Sequence, residues 1–190
     1  MNKISPASIF ESISNIKEDG IPPVHLWNPP ICANVDMRIS REGQWFFMNS
    51  PIGRERMVRL FSKVLRFDED GHYYLVTPVE KIRLNVEDKP FLIVDFEVNN
   101  SGKNQNIYFK TNTDDIFQLS AKNPLRVVIN KKQEPSPYVV VRSNLEGLIS
   151  RNIYYKLIDL GKHEKINNTD NYGIWSAGSF FNLEGAKIKD

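Results

Sequence analysis

An internal repeat is the feature that most constrains how this chain can fold. The triplet Ile52-Gly53-Arg54 recurs as Ile149-Ser150-Arg151, a shift of 97 residues. Each triplet is followed by apolar residues spaced three and four apart, which is typical of one buried helix face. The same shift places Met57, Val58, Leu60 and Phe61 on Tyr154, Tyr155, Leu157 and Ile158. Such a repeat indicates a duplicated structural unit.

The segments around each triplet complete the unit. Alternating apolar residues and a Glu42-Gly43 turn predict a hairpin over residues 36–48, before a helix over residues 53–65. Ser150 can cap a second helix that ends near residue 160. Further strands are predicted at 73–77, 80–86, 91–98, 106–111, 126–129, 138–142, 173–176 and 180–183. We therefore predict an α+β fold in which β-β-α-β-β units with mostly antiparallel sheets occur twice. The alternative is two unrelated α+β pieces that share one triplet by chance.

The sequence predicts that the chain is divided into three structural parts. Residues 1–20 contain a helix that begins at Ser5-Pro6 and carries Ile9, Ile13 and Ile16 on one face. A proline-rich extended segment then opens the first repeat domain, residues 21–88. The second repeat domain is predicted to cover residues 89–190.

Composition limits the functional classes. The chain has 190 residues, of which 41% are hydrophobic, so a folded core is expected rather than disorder. The net charge of +2 is small, and the sequence contains no basic stripe of the kind that nucleic-acid binding needs. Cys32 is the only cysteine, which fits a reducing compartment. No signal peptide and no run of about 18 apolar residues is found, so we expect a cytoplasmic protein without a membrane span.

No catalytic, metal or cofactor motif is recognisable. His25, His72 and His163 are scattered, without the spacing of metal ligands. Neither a nucleophile elbow nor a glycine-rich phosphate loop occurs. Cys32 has no placed histidine partner, and a lone cysteine is more often a small apolar filler than a nucleophile. We predict no catalytic residue, no metal and no cofactor, while enzyme activity of unknown type stays open.

Arginines at the two predicted helix starts are the more informative polar residues. Helix N-termini are positive and normally favour acids, yet Arg54 and Arg151 occupy equivalent positions there. Backbone N–H groups and a guanidinium together would suit an anion such as phosphate. The alternative is a structural role, in which the two arginines pair with acids such as Glu80 or Glu146.

Thr77 and Glu80 allow two interpretations. Thr77 could donate a hydrogen bond to a ligand, and Glu80 could accept one from a sugar or a base. The alternative, which we favour slightly, is local turn chemistry around the proline between them.

Several longer motifs carry a family resemblance. They are Asp36-x-Arg38-Ile39, Ser50-Pro51-Ile52-x-Arg54, Thr77-Pro78-Val79-Glu80, Val86-Glu87-Asp88-x-Pro90-Phe91, Asn123-Pro124-Leu125-Arg126 and Trp175-Ser176. Over about residues 23–183 the chain resembles a bacterial family known as domain of unknown function 1285. One departure is Gly147, where the resemblance leads us to expect alanine.

The resemblance implies a duplicated core with a C-terminal half like pleckstrin-homology folds. It also implies a nucleotide-like ligand at the interface of the two halves, and a role in signal transduction. We therefore expect a non-enzymatic module that binds a small anionic ligand. Its expected ligand-binding residues are Arg54, Arg59, Arg142 and Arg151 for the anion, and Thr77 and Glu80 for orientation. A protein-interaction module that uses exposed sheet edges and the pleckstrin-like half is the main alternative, and an enzyme is the second.

Overall fold

The computed structural model describes residues 6–7, 20–32, 35–166 and 168–187. The chain divides into two compact units, Met1–Asp88 and Lys89–Asp190, which are described separately. The helix predicted within residues 1–20 lies outside the described residues, apart from residues 6–7.

Within residues 20–32 and 35–88, the N-terminal unit has one six-stranded sheet, one α-helix and a short 3-10 helix, Val24–Leu26. Its elements are β1 (Met37–Ile39), β2 (Trp45–Phe47), β3 (Ser50–Pro51), α1 (Glu55–Lys63), β4 (Leu65–Phe67), β5 (Tyr73–Val76) and β6 (Lys81–Val86). The strand order is β3-β2-β1-β6-β5-β4. All pairs are antiparallel except β1 with β6, which runs parallel. The unit is thus two three-stranded meanders, joined by α1 and closed by pairing of the last strand with the first.

The core of this unit lies between α1 and the sheet. Met57 and Phe61 are the buried apolar residues of α1, and the Phe61 ring centroid lies 6.1 Å from that of Trp45 on β2. The predicted helix is confirmed, but its predicted end is wrong. The helix stops at Lys63, and Leu65 begins β4, whose neighbour β5 donates from Val76 N to the carbonyl of Val64. Apolar spacing alone cannot separate the last turn of a helix from a short buried strand.

The described part of the C-terminal unit contains a seven-stranded sheet, a three-stranded sheet, one α-helix and a short 3-10 helix, Gly102–Asn104. Its elements are β7 (Phe91–Asn99), β8 (Asn106–Thr111), β9 (Ile116–Gln118), β10 (Leu125–Ile129), β11 (Pro135–Arg142), β12 (Leu145–Ile149), α2 (Arg151–Leu160), β13 (Lys162–Ile166), β14 (Thr169–Ser176), β15 (Ser179–Asn182) and β16 (Ala186–Lys187). The strand orders are β16-β10-β11-β12-β7-β8-β9 and β13-β14-β15.

The duplication is visible in the topology. In the C-terminal unit a meander, β10–β12, precedes α2 and a second meander, β13–β15, follows it. The last strand, β16, then pairs parallel with β10, as β6 does with β1 in the N-terminal unit. Two similar halves, each a mostly antiparallel arrangement with one helix, confirm the α+β duplication. Three strands precede the helix in each copy rather than two; three follow it in the N-terminal unit and four, β13–β16, follow it in the C-terminal unit. Strands β7–β9 are the extra strands between the copies. The likeness of the C-terminal half to pleckstrin-homology folds stays a prediction.

Two glycines of the C-terminal unit lie in crowded places. A Cβ atom at Gly147 would lie 3.2 Å from side-chain atoms of Phe91 and Val141 and 3.3 Å from one of Ile93, so these neighbours already fill the space of the expected alanine. At Gly173 on β14 an added Cβ would lie only 2.1 Å from the carbonyl oxygen of Phe181. The strand pairing at Gly173 therefore requires glycine.

Replacement of Gly173 should be strongly destabilising. We expect Gly173→Ala to lower the free energy of unfolding by more than about 2 kcal/mol, because the clash is with backbone of the paired strand. The matched control is Gly53→Ala, since a Cβ there meets nothing within 4 Å. Denaturant unfolding of both variants measures the difference. Equal effects of the two substitutions would contradict the close strand approach.

Candidate functional site

The N-terminal unit contains a cleft of about 870 Å³. That volume lies in the range of small-molecule binding sites, roughly 300–1,000 Å³. Its apolar lining comes from Met37, Tyr73, Leu84 and Val86, with Ile31, Val35 and Met48. Its polar lining comes from Asp36, His72, Arg83 and Asn85. An apolar surface with a few polar groups is the usual composition of a ligand site.

Strand pairing explains why these residues meet. Strand β6 is in register with β5 on one side, where Leu84 faces Tyr73, and with β1 on the other, where Asn85 faces Arg38. The turn before β5 uses Gly71 at φ +79°, a conformation that glycine adopts without strain. This turn places His72 immediately before β5.

One hydrogen bond sets the chemistry of the cleft. The Nη2 atom of Arg83 lies 3.1 Å from Nδ1 of His72. Because a guanidinium only donates, Nδ1 must accept and the neutral ring carries its proton on Nε2. The Arg83–His72 pair therefore offers a permanent cation and a ring N–H donor in the same cleft.

Cys32 also lines the cleft, and its thiol faces the carboxylate of Glu80. Burial, and then the charge and hydrogen bond of Glu80, raise the pKa of the Cys32 thiol. A thiol whose pKa is raised carries little thiolate at neutral pH and is a poor nucleophile.

A charge network fixes the segment that brings Ile31 and Cys32 to the cleft. The Nη1 atom of Arg66 donates to the carbonyls of Val24, at 2.8 Å, and Trp27, at 2.6 Å. Arg66 also pairs with Asp68, which takes a second bond of 3.0 Å from Nζ of Lys81. The hydrogen bond from Arg66 is the main cause that lowers the pKa of Asp68.

Backbone bonds then continue the attachment. Lys81 N donates to Pro30 O at 3.0 Å, and Cys32 N donates to Lys81 O at 2.8 Å. The proline-rich segment was predicted to be an extended linker. The sequence did not predict that this segment lines a cleft, because nothing in the segment indicates which strand it contacts.

The six predicted ligand residues do not line this cleft. Oγ1 of Thr77 donates to the carbonyl of Glu80 at 3.1 Å and accepts from the N–H groups of Val79 and Glu80. The turn-chemistry alternative thus accounts for the hydroxyl of Thr77. Arg59 pairs with Glu55 one turn earlier on α1, at 3.0 Å.

Arg142 is held inside the C-terminal unit. Its Nη1 atom lies 2.8 Å from a carboxylate oxygen of Asp115, and its guanidinium lies 4.7 Å from the ring centroid of Phe91. Asp115 also accepts from Oγ1 of Thr113 at 2.9 Å. These contacts give Arg142 a structural role in positioning the loop before β9.

Arg54 and Arg151 are exposed at the helix starts, as predicted. Arg54 is the N-cap residue of α1, and Arg151 is the first residue of α2. Neither side chain makes a hydrogen bond or ion pair with any residue that the structure describes. The acids considered as their structural partners have other contacts, since Glu80 faces Cys32 and Glu146 is paired within its own sheet.

Glu146 on β12 is the centre of a paired cluster. Its carboxylate lies 2.7 Å from Nε of Arg126 and 2.6 Å from Nζ of Lys89. Both cations also lie over the ring of Tyr138. The hydrogen bond from Arg126 is the largest cause that lowers the pKa of Glu146 to about 2.

Two further properties concern the described ranges only. Over residues 20–32, 35–166 and 168–187, no group of three His, Cys, Asp or Glu side chains is arranged to hold a metal ion. No helix in these ranges is long and apolar enough to cross a membrane.

Arg54 and Arg151, which have no ion pair with any described residue, predict that their substitution increases the stability of the protein. Arg54→Glu and Arg151→Glu should each raise the free energy of unfolding by about 0.3–1 kcal/mol, because an acid replaces a cation at a positive helix end. Lys63→Glu, at the last residue of α1, is the control and should lower it by a similar amount. Chemical denaturation measures all three. Destabilisation by either arginine substitution would show a structural partner.

The Glu146 cluster predicts a pH dependence. The folded-state pKa of Glu146, about 2, lies below its ordinary value of 4.5, so its stabilising effect is complete above that value and disappears as pH falls from 4.5 towards 2. We expect Glu146→Gln to lower the free energy of unfolding at pH 7 by about 2 kcal/mol, allowing for screening of the half-exposed Arg126. The difference from wild type should vanish near pH 2. Glu97→Gln, on the exposed side of β7, should show no such convergence in the same titration.

Two family profiles together match residues 22–183. The profile described as "Domain of unknown function (DUF1285), N-terminal domain" matches residues 22–89, and "Protein of unknown function (DUF1285), C-terminal domain" matches residues 90–183. None of the curated proteins compared with the chain matches it.

Two solved structures are similar to this one. A DUF1285 family protein from Silicibacter pomeroyi DSS-3 has a TM-score of 0.82 and 46% identity, over 92% of this chain and 93% of that chain. A DUF1285 family protein from Shewanella baltica OS155 has a TM-score of 0.51 and 27% identity, over 65% of this chain and 90% of that chain. With both family profiles matched in sequence order and a relative 46% identical over nearly its whole length, this chain belongs to the bacterial DUF1285 family.

Proposed function

We propose that this protein is a cytoplasmic, non-enzymatic module that binds a small anionic, nucleotide-like ligand in the cleft of its N-terminal unit. The Arg83–His72 pair in that cleft is the observation that carries the proposal. A ligand site between the two halves, implied by the family resemblance, stays a prediction, and so does a role in signal transduction.

The cleft has the size and lining that such a ligand needs. About 870 Å³ accommodates a molecule as large as a mononucleotide. Apolar side chains such as Leu84 and Val86 suit a flat ring system. The guanidinium of Arg83 suits a phosphate or a carboxylate, since its planar donors match two anion oxygens at once.

Catalysis has less support than binding. Cys32 is the one nucleophile candidate in the cleft, and its raised thiol pKa opposes that role. His72 accepts from Arg83 through Nδ1, which leaves a donor rather than a base at Nε2.

A protein-interaction module that adds a partner strand to a sheet edge also has less support. The outer strands β3 and β16 have two residues each, and β4 and β9 have three. Short edges provide few main-chain hydrogen bonds to a partner. The longest outer strand is β13, which carries charges at Lys162, Glu164 and Lys165, and such charges oppose edge pairing.

Thermal-shift measurements across nucleotides and other small phosphates and carboxylates test the proposal. A ligand at 100 times its dissociation constant stabilises the folded state by about 2.7 kcal/mol. Arg83→Gln should abolish the shift that wild type shows, whereas Arg54→Gln and Arg151→Gln should retain it. If wild type is stabilised by no anionic compound, binding is refuted. Should the shift survive Arg83→Gln and vanish in the helix-start variants, the cleft is the wrong site.

A further inference from the structure

The cleft presents one acid as well as one cation. Asp36 and Arg83 both line it, and the structure records no ion pair between Asp36 and any described residue. The only recorded side-chain partner of Arg83 in the described chain is the neutral ring of His72. Two opposite charges therefore face one cleft without neutralising each other.

Neighbouring charges do not satisfy Asp36. Arg38, two residues away on β1, is held by Glu87 and lies 4.0 Å from the ring centroid of Phe46. Arg41 pairs with Asp88. Glu87 and Asp88 are therefore paired with these two arginines, while the Asp36 carboxylate has no partner among the described side chains.

The register brings the two charged residues to the same level of the sheet. Strands β1 and β6 are parallel, with Arg38 opposite Asn85 and Ile39 opposite Val86. Met48 N donates to the carbonyl of Asp36 at 2.9 Å, so the extended course of β1 continues back to that residue. Following the register back by two residues sets Asp36 level with Arg83. The carboxylate and guanidinium do not meet, and a small molecule between them can contact both.

The hydrogen-bonding roles of these groups are fixed. An ionised carboxylate only accepts and a guanidinium only donates. A ligand with only anionic groups would bring its negative charge close to the unpaired carboxylate of Asp36. Two like charges would then face each other in the cleft, which is unfavourable. A ligand that carries both an anionic group and an N–H donor satisfies both.

Resting on the proposed function, we propose that the cleft selects a ligand that carries an amino group as well as an anionic group. The amino group donates to Asp36, and the anion binds Arg83 and the ring N–H of His72. Two sources have this chemistry, an aminopurine nucleotide and an amino acid. The geometry assigns the amino group and the anionic group that both sources share. The measurement decides between the two sources.

Matched ligand pairs test the assignment by calorimetry. Adenosine 5′-monophosphate is compared with purine riboside 5′-monophosphate, which lacks only the amino group. Phenylalanine is compared with 3-phenylpropanoate in the same way. In the pair that binds, we expect wild type to prefer the amino member by about tenfold to a hundredfold, the usual value of a hydrogen bond to a charged group.

Variants separate this inference from the proposed function. Asp36→Ala, which removes the acceptor, should abolish the preference for the amino member while binding of the other member survives, and Arg83→Gln should weaken both members. Glu42→Gln, an exposed acid in the β1–β2 turn, is the control and should change neither. Equal binding of both members by wild type, or a preference that persists in Asp36→Ala, overturns the role of Asp36 and leaves the anion site intact. Binding of none of the four compounds overturns both.

Discussion

The cleft depends on a half-buried charge network that joins a proline-rich segment to the edge of a meander. Arg66 is the central member, since it bonds two carbonyls of that segment and the carboxylate of Asp68. Loss of one member would leave the others as uncompensated charges. Such a protein would be less stable than one with apolar residues in place of the whole network. The network explains how a segment with little regular structure can present Ile31 and Cys32 in fixed positions. It also explains why the lining of the cleft is built from both ends of the N-terminal unit.

Charges in this protein fall into two groups. Some have partners at short range, as in the Glu146 cluster and the Arg142–Asp115 pair, and these connect separate segments of the chain. Others have no ion pair among the described residues, and two of these, Asp36 and Arg83, line the cleft. Arg83 and Asp36 are both exposed, so a ligand in solution can reach both charges, and their placement together in a concave site is the physical basis of the binding proposal.

Sequence patterns predicted the architecture better than the site. The constant offset between Arg54 and Arg151 and the helix residues that follow them predicted the duplication. The apolar face of a helix leaves a regular spacing in the sequence, so two copies of it can be aligned. The same pattern missed short strands such as β9 and β13, whose few residues have no clear alternation. The cleft was missed because Asp36 and His72 lie immediately before β1 and β5 while Arg83 lies on β6, and only the register of these strands brings them together.

The parallel closure of each unit has a consequence for the order of folding. Hairpins and helices join neighbours in sequence, so they close short loops and form early. The pairing of Arg38 with Asn85, and of Val128 with Ala186, instead waits until a meander, a helix and another meander have been traversed. Closure is thus expected to be the late, cooperative event of each half. For a chain made from its N-terminus, the first half holds all the strands for that event once Val86 has been synthesised, so it can complete its own sheet while the second half is still being made.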